Sequence, residues 1–401
     1  MKKIALAANP AQGSTQPDAP LAVNQRIAAL DVLRGGALLG ILMLNIESFS
    51  GPASLHDIPV GVAKPAFVGW HASLGLVILT IKWLFFEGKM RTLFSMLYGA
   101  GILLLTERLQ RQGRGERAAD IFCRRNMWLL LFGLMHGALV WQGDILSQYA
   151  LVALLFMFPL RLLPAKGLIV VGLAIGVIGG TWGMSNLVGA RDVLAAERLR
   201  QGGAAYLVER RLPTPDQAAA ISAEANARSE AAARLEKQIQ AGRASYLSGT
   251  ARRPASYLNW VIELFRSGLI LEVVGSMILG MGLFKIGFLT GERPRSIYLA
   301  TAPAGYALCA PIVLTGITMA HAEGFSTPAA VRWMYLPYAL EVFAGSIANA
   351  ALILLVLESG WFAAAFRALA NVGRTVQQLH THQCSLPVHI RVGAMEALWR
   401  R

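Results

Sequence analysis

Along the chain, polar positions thin out into long apolar stretches. Each approaches the roughly 20 residues that an α-helix needs to cross a hydrocarbon layer about 30 Å thick. These stretches lie near residues 30–50, 91–105, 126–141, 145–163, 167–187, 267–288, 297–320 and 333–357. The pattern predicts an all-α polytopic bundle of about eight transmembrane helices. A further run at 68–86, "VGWHASLGLVILTIKWLFF", carries His71 and Lys82, with Trp70 and Trp83 near its ends. Such a segment suits a helix lying in the outer membrane interface.

The basic residues orient the spans. The loop "TERLQRQGRGERAADIFCRRN" holds Arg108, Arg111, Arg114, Arg117, Arg124 and Arg125 against three acids. An excess of arginine places it in the cytoplasm, as Lys2, Lys3 and Arg26 place the N-terminus. Both can be inside only if an even number of crossings separates them, so 68–86 is expected not to span. The turn at 161–166 and the loop at 285–295 then fall inside, and the polar segment 191–257 falls outside.

Five regions follow. Residues 1–25 are a disordered cytoplasmic tail, since the apolar core of "MKKIALAANP" is too short for an export signal. Residues 26–188 form an N-terminal membrane bundle, and 189–262 a polar extracytoplasmic insertion. The insertion is rich in Ala, Glu and Arg and broken at Pro213–Pro215. It reads as two solvated helices, with Glu236 near Arg228 and Arg234 as surface pairing. Residues 263–374 form a C-terminal membrane domain, and 375–401 an atypical tail. Gly172, Gly176 and Gly180 repeat at the spacing of close helix packing.

Composition agrees with the pattern. Hydrophobic residues make up 55% and charged residues 15%, with a mean hydropathy of +0.49. Too little polar surface remains to coat a water-soluble globule. The net charge of +14 is accounted for by basic residues at helix ends, without a nucleic-acid partner. Cys123, Cys309 and Cys384 are far apart and form no CxxC pair, so neither a metal centre nor a disulfide framework is indicated.

Polar groups inside apolar spans are costly and face a partner or a wet cavity. Asp31 and Arg34 stand at i and i+3 near the cytoplasmic surface, either as an interfacial ion pair or as contacts for an anionic substrate. Asn45 lies roughly 21 Å farther out, where it either bridges helices or meets a substrate. His136 is about 16 Å beyond Arg125 along its helix, between Gly133 and Gly137, which leave room for a neighbour or a ligand. A histidine there suits general acid–base work. Asp144 can orient it only if the chain folds back, because a straight helix would separate them by about 12 Å. Gln148 and Tyr149 follow on the next span. Glu341 is a further buried candidate, either paired with an arginine or sharing a proton with a carbonyl.

Three motifs in order resemble a known family: "RIAALDVLRGGALLGILMLN" from Arg26, "GKMRTLFSMLYGAG" from Gly88, and "RRNMWLLLFGLMHGALVWQGDILSQYA" from Arg124. They are similar to the bacterial YeiB-like inner-membrane proteins, with a C-terminal domain of unknown function, from about Arg26 to Arg374. The first helix also resembles, over that helix alone, membrane acyltransferases of the heparan glucosaminide N-acetyltransferase type. This implies acyl transfer from cytoplasmic acyl-CoA to an extracytoplasmic glycan or lipid, with the bilayer and acyl-CoA as partners and no other cofactor. Arg34, Arg124 and Arg125 would hold the donor's phosphates, His136 would act as base, and Asn45 would contact the acyl oxygen or acceptor. Transport of a small solute and a non-catalytic envelope role stay open. After "ALANVGR" the sequence departs from the family into "TVQQLHTHQCSLPVHIRVGAMEALWRR". A frameshift after about Arg374 is the expectation there, under which this copy is truncated and inactive.

Overall fold

A computed structural model describes residues 23–50, 67–243, 246–360 and 362–382. Most of the tails discussed above, 1–22 and 383–401, lies outside them. Among the described residues the chain is helical, with no strand. In chain order the α-helices are α1 (Val23–Ser50), α2 (Ala72–Ile81), α3 (Lys89–Arg111), α4 (Ala118–Leu139), α5 (Leu146–Val152) and α6 (Phe158–Leu160). There follow α7 (Ala165–Ala174), α8 (Gly180–Leu187), α9 (Ala190–Val208), α10 (Pro215–Arg243), α11 (Tyr246–Ser267) and α12 (Ile270–Lys285). The last are α13 (Arg295–Ala322), α14 (Thr327–Ala330), α15 (Tyr338–Glu358) and α16 (Ala363–His382). Four π-helical turns interrupt the series, at Lys82–Phe86, Ala153–Met157, Ile175–Gly179 and Val331–Tyr335.

Among the described residues, four helices are long and apolar enough to cross a membrane: 28–47 within α1, 165–187, α13 and α15. A fifth span arises if residues 253–267 and α12, bent by 73°, count together. This falls short of the expected eight. Residues 146–160 are apolar but short, and α3 and α4 carry several charged residues toward their ends. The outside of the bundle is nevertheless apolar: Leu131, Leu155, Val170, Ile178 and Leu314 are 46–71% exposed. Apolar side chains facing outward in this way fit a membrane protein.

α12 forms the centre, buried along nearly its whole length between α3 and α7. Glycine admits this packing. A Cβ on Gly280 would stand 1.9 Å from the Met96 carbonyl oxygen, and one on Gly99 would stand 2.1 Å from that of Met277. Backbone touches backbone, so neither helix can yield by rotating a side chain. Gly280→Val is therefore expected to cost at least the roughly 1–3 kcal/mol of ordinary overpacking, read as a lower thermal midpoint in detergent. On the other flank, Gly172 and Gly176 meet α12 and Phe343, while Gly180 meets Ala339.

Segment 68–86 packs one face on the bundle: Leu79 and Trp83 are buried, whereas Trp70 is 94% exposed. Lys82 reaches Glu47 of α1 at 2.7 Å. Beyond α8, α9 and α10 pack on each other across the proline break. Arg234 pairs with Glu230 at 2.9 Å, one turn earlier, rather than with Glu236, which accepts from Gln240. In α9, hydrogen bonds from Arg200 hold the Glu197 carboxyl below its ordinary range. In α11, Tyr257 and Leu264 are buried.

Candidate functional site

The residues singled out from the sequence separate into three groups. The first surrounds His136. α4 ends at Leu139, and a short loop returns the chain to α5. This fold-back brings the His136 Nδ1 to 3.1 Å from Asp144 Oδ1, well inside the separation a continuous helix would impose. Asp144 is 1% exposed. Its Oδ2 accepts from the Ser147 amide at 3.0 Å and from the Tyr257 hydroxyl at 3.1 Å. The carboxylate therefore caps α5 and orients the histidine at once. Tyr257 also bonds Ser147 through the two hydroxyls.

The space left by Gly133 and Gly137 is taken by neighbours: the Ser147 backbone lies against Gly133 and the Tyr257 ring against Gly137. The His136 side chain keeps 39% of its surface exposed, with the Trp141 ring edge-on beside it. Above the dyad, Arg253 donates to the Leu139 carbonyl at 3.0 Å. Gln148 donates to the Asp144 carbonyl at 3.0 Å, which places it in the scaffold of the loop. Tyr149 turns away, bonding the Ser95 hydroxyl at 2.6 Å and donating to the Arg91 carbonyl at 3.1 Å. Asn45 is half-buried on α1. Among the described residues no hydrogen bond joins it to His136 or Asp144.

The second group lies at the arginine-rich end. Arg34 Nη1 stands 3.3 Å from Asp31 Oδ1, and Arg374 of α16 approaches the other carboxylate oxygen at 3.5 Å. A Cβ on Gly35 or Gly373 would collide with the facing backbone, so α16 is seated directly on α1. Arg125, half-buried, is near enough to Arg34 to act on it electrostatically. Arg124 faces outward and pairs with Asp120 at 2.6 Å.

The third group was only half legible. Glu341, 1% exposed, pairs with Lys89 rather than with an arginine among the described residues. Lys89 also donates to the Trp83 carbonyl at 2.6 Å, and Cys309 Sγ lies 3.5 Å from Glu341 Oε2. Gly88 makes the turn into α3 at φ +68°, where a Cβ would sit 2.5 Å from the Tyr338 hydroxyl. That turn delivers Lys89 into the core. Beside the pair, Arg91 meets Glu272 at 2.8 Å, and Tyr338 donates to Glu87 at 3.3 Å. A lysine at the head of an apolar helix was a readable signal for this cluster. Tyr257, 113 residues from Asp144, had no comparable local sign.

Residues 283–376 match the family described as "Protein of unknown function (DUF418)". That range contains Cys309, Glu341 and Arg374. The "Uncharacterized protein YxaH" of Bacillus subtilis (strain 168) is 38% identical over 133 residues, 33% of this chain and 32% of that protein. The "Uncharacterized protein YeiB" of Escherichia coli (strain K12) is 35% identical over 158 residues, 39% and 37% of the two chains. The chain is YeiB-like. The aligned stretches span about a third of the length of these relatives, so the YeiB-like resemblance carries no activity with it. A third relative, an "Uncharacterized 39.9 kDa protein in amylase 3'region" of Bacillus acidopullulyticus, is 35% identical over 138 residues, 34% of this chain and 35% of that one. No solved structure matches.

Proposed function

We propose that this protein is a multi-pass inner-membrane acyltransferase, with eight crossings, a cytoplasmic N-terminus and a general acid–base dyad in its outer half. The observation that supports the reading most directly is the 3.1 Å contact between His136 and Asp144. A carboxylate that fixes one imidazole nitrogen leaves the other aimed at a substrate proton. In this reading His136 removes the proton of an acceptor hydroxyl or amine. The acceptor attacks the thioester carbonyl of acyl-CoA, a new C–O or C–N bond forms and the C–S bond breaks. The proton returns through His136 to the departing thiolate.

Arg34 and Arg125 at the opposite end suit the donor's phosphates as charge-assisted partners. His136 is roughly 16 Å from Arg125 along α4, so the donor's thioester arm must extend along the helix to reach it. Asn45 is left for the acceptor rather than the dyad. Membrane vesicles bearing the full chain, supplied with labelled acyl-CoA, test the reading. His136→Ala is expected to reduce transfer by about 10²–10⁴-fold while folded protein persists. Transfer unchanged by the substitution, or none in a wild-type chain with an intact C-terminus, counts against it.

A further inference from the structure

Beside the Lys89–Glu341 pair lies a crevice of about 10 Å³, lined by Trp83, Glu341, Ile312, Val313, Trp333 and Met334. That is about the space of a single water molecule. Two of its lining residues carry an unsatisfied buried polar atom. Trp83 Nε1 and Glu341 Oε1 have no hydrogen-bond partner, although the two residues are only 2% and 1% exposed. A buried donor and a buried acceptor left open cost about 1–3 kcal/mol each, and both residues line the crevice, where a group of matching chemistry would satisfy them.

The occupant must accept from an indole N–H and donate to a carboxylate oxygen. A bare cation cannot do the first, and an anion cannot do the second. Water does both, and the crevice has room for it. The walls support a functional reading: Trp83 comes from the π turn at 82–86, and Trp333 and Met334 come from the π turn at 331–335. Such turns are rare and recur at functional sites.

Charge supplies the second argument. The groups facing or adjoining Glu341 are Lys89 on α3, Cys309 on α13, Glu87 in the turn before α3 and Tyr338 on its own helix. Arg91 and Glu272 adjoin them. Three carboxylates, Glu87, Glu272 and Glu341, stand against two cations, Lys89 and Arg91. With all ionised, one negative charge is in excess among buried or half-buried groups, which is costly without a compensating proton.

We propose that water in this crevice connects Glu341 to solvent, and that Glu341 binds and releases a proton through it as a protonation switch inside the bundle. On uptake, an O–H bond of a hydronium ion at the crevice breaks, its proton forms an O–H bond to Glu341 Oε1, and neutral water remains. Lys89 keeps its protons and its bond to the Trp83 carbonyl but loses its counter-charge, which loosens the link between α3 and α15. This is independent of acyl transfer at His136.

Infrared difference spectra between acidic and alkaline buffer, recorded on the full chain in lipid nanodiscs, test it. A protonated-carboxyl C=O band is expected that Glu341→Gln removes. Trp83→Phe keeps an aromatic ring but deletes the N–H, and is expected to shift that band and slow its exchange in heavy water. If Glu341→Gln does not fold, the Trp83→Phe spectrum decides alone. Absence of a titrating carboxyl band in the wild-type chain overturns the proposal. So does a band that survives Glu341→Gln, or one that Trp83→Phe leaves unchanged in position and exchange.

Discussion

Lys89→Met is expected to destabilise the protein by about 3–5 kcal/mol, the range for breaking one side of a buried ion pair. The Lys89 and Glu341 side chains are 0% and 2% exposed, so the carboxylate left behind loses its counter-charge in a buried site. Glu341→Leu should be comparably damaging, because it strands the ammonium. The double substitution Lys89→Met/Glu341→Leu should recover most of the loss, since it removes both charges and leaves apolar groups of similar bulk. Thermal unfolding in detergent, followed by the folded fraction on size exclusion, measures all three. Single substitutions that stay within about 0.5 kcal/mol of wild type would show that the pair is not desolvated. A double variant no better than the sum of the singles would show that the two residues act separately.

Asp144→Asn is expected to lower acyl transfer by about 10²–10⁴-fold with the fold retained. Asparagine has nearly the same shape, and its amide oxygen can still accept from the Ser147 amide that Asp144 now caps. That same oxygen also receives the Tyr257 hydroxyl, so what asparagine cannot supply is the anionic oxygen opposite the His136 Nδ1. The histidine would lose its fixed orientation while remaining in place. Transfer and melting temperature, measured on the same preparation, separate the two roles of this carboxylate. If activity and folded protein fall together, Asp144 serves chiefly as the cap of α5. If activity falls alone, its work is on His136.

Much of the architecture was readable because each cue is local. The apolar runs that predicted spans fall mainly on α1, α3, α4, α5 with α6, α7 with α8, α12, α13 and α15, and Pro213–Pro215 marks the break between α9 and α10. The number of spans was less readable. Polar residues near the ends of α3 and α4 dilute their apolarity, and the 73° bend between α11 and α12 divides one candidate span into two helices of different composition. In the site, the i, i+3 spacing of Asp31 and Arg34 correctly put them side by side. The grouping of Asn45 with His136 and Asp144 rested on similar depth alone, and depth along an axis says nothing about which face a residue occupies. Gly133 and Gly137 were legible as gaps, but only the packed chain shows that Ser147 and Tyr257 fill them.

The sequence by itself determined that this chain is a set of apolar helices with basic ends. Backbone hydrogen bonding within a helix and the gathering of arginines beside a helix end are properties of consecutive residues. Tertiary structure alone decided which polar groups meet. Lys89 and Glu341 are 252 positions apart, and Asp144 and Tyr257 are 113 apart. A helix that is apolar around much of its circumference carries little periodic signal to say which face turns inward. That choice is made where glycines let α12 lie against α3 and α7. It is this close packing that draws the scattered polar side chains of the neighbouring helices into pairs.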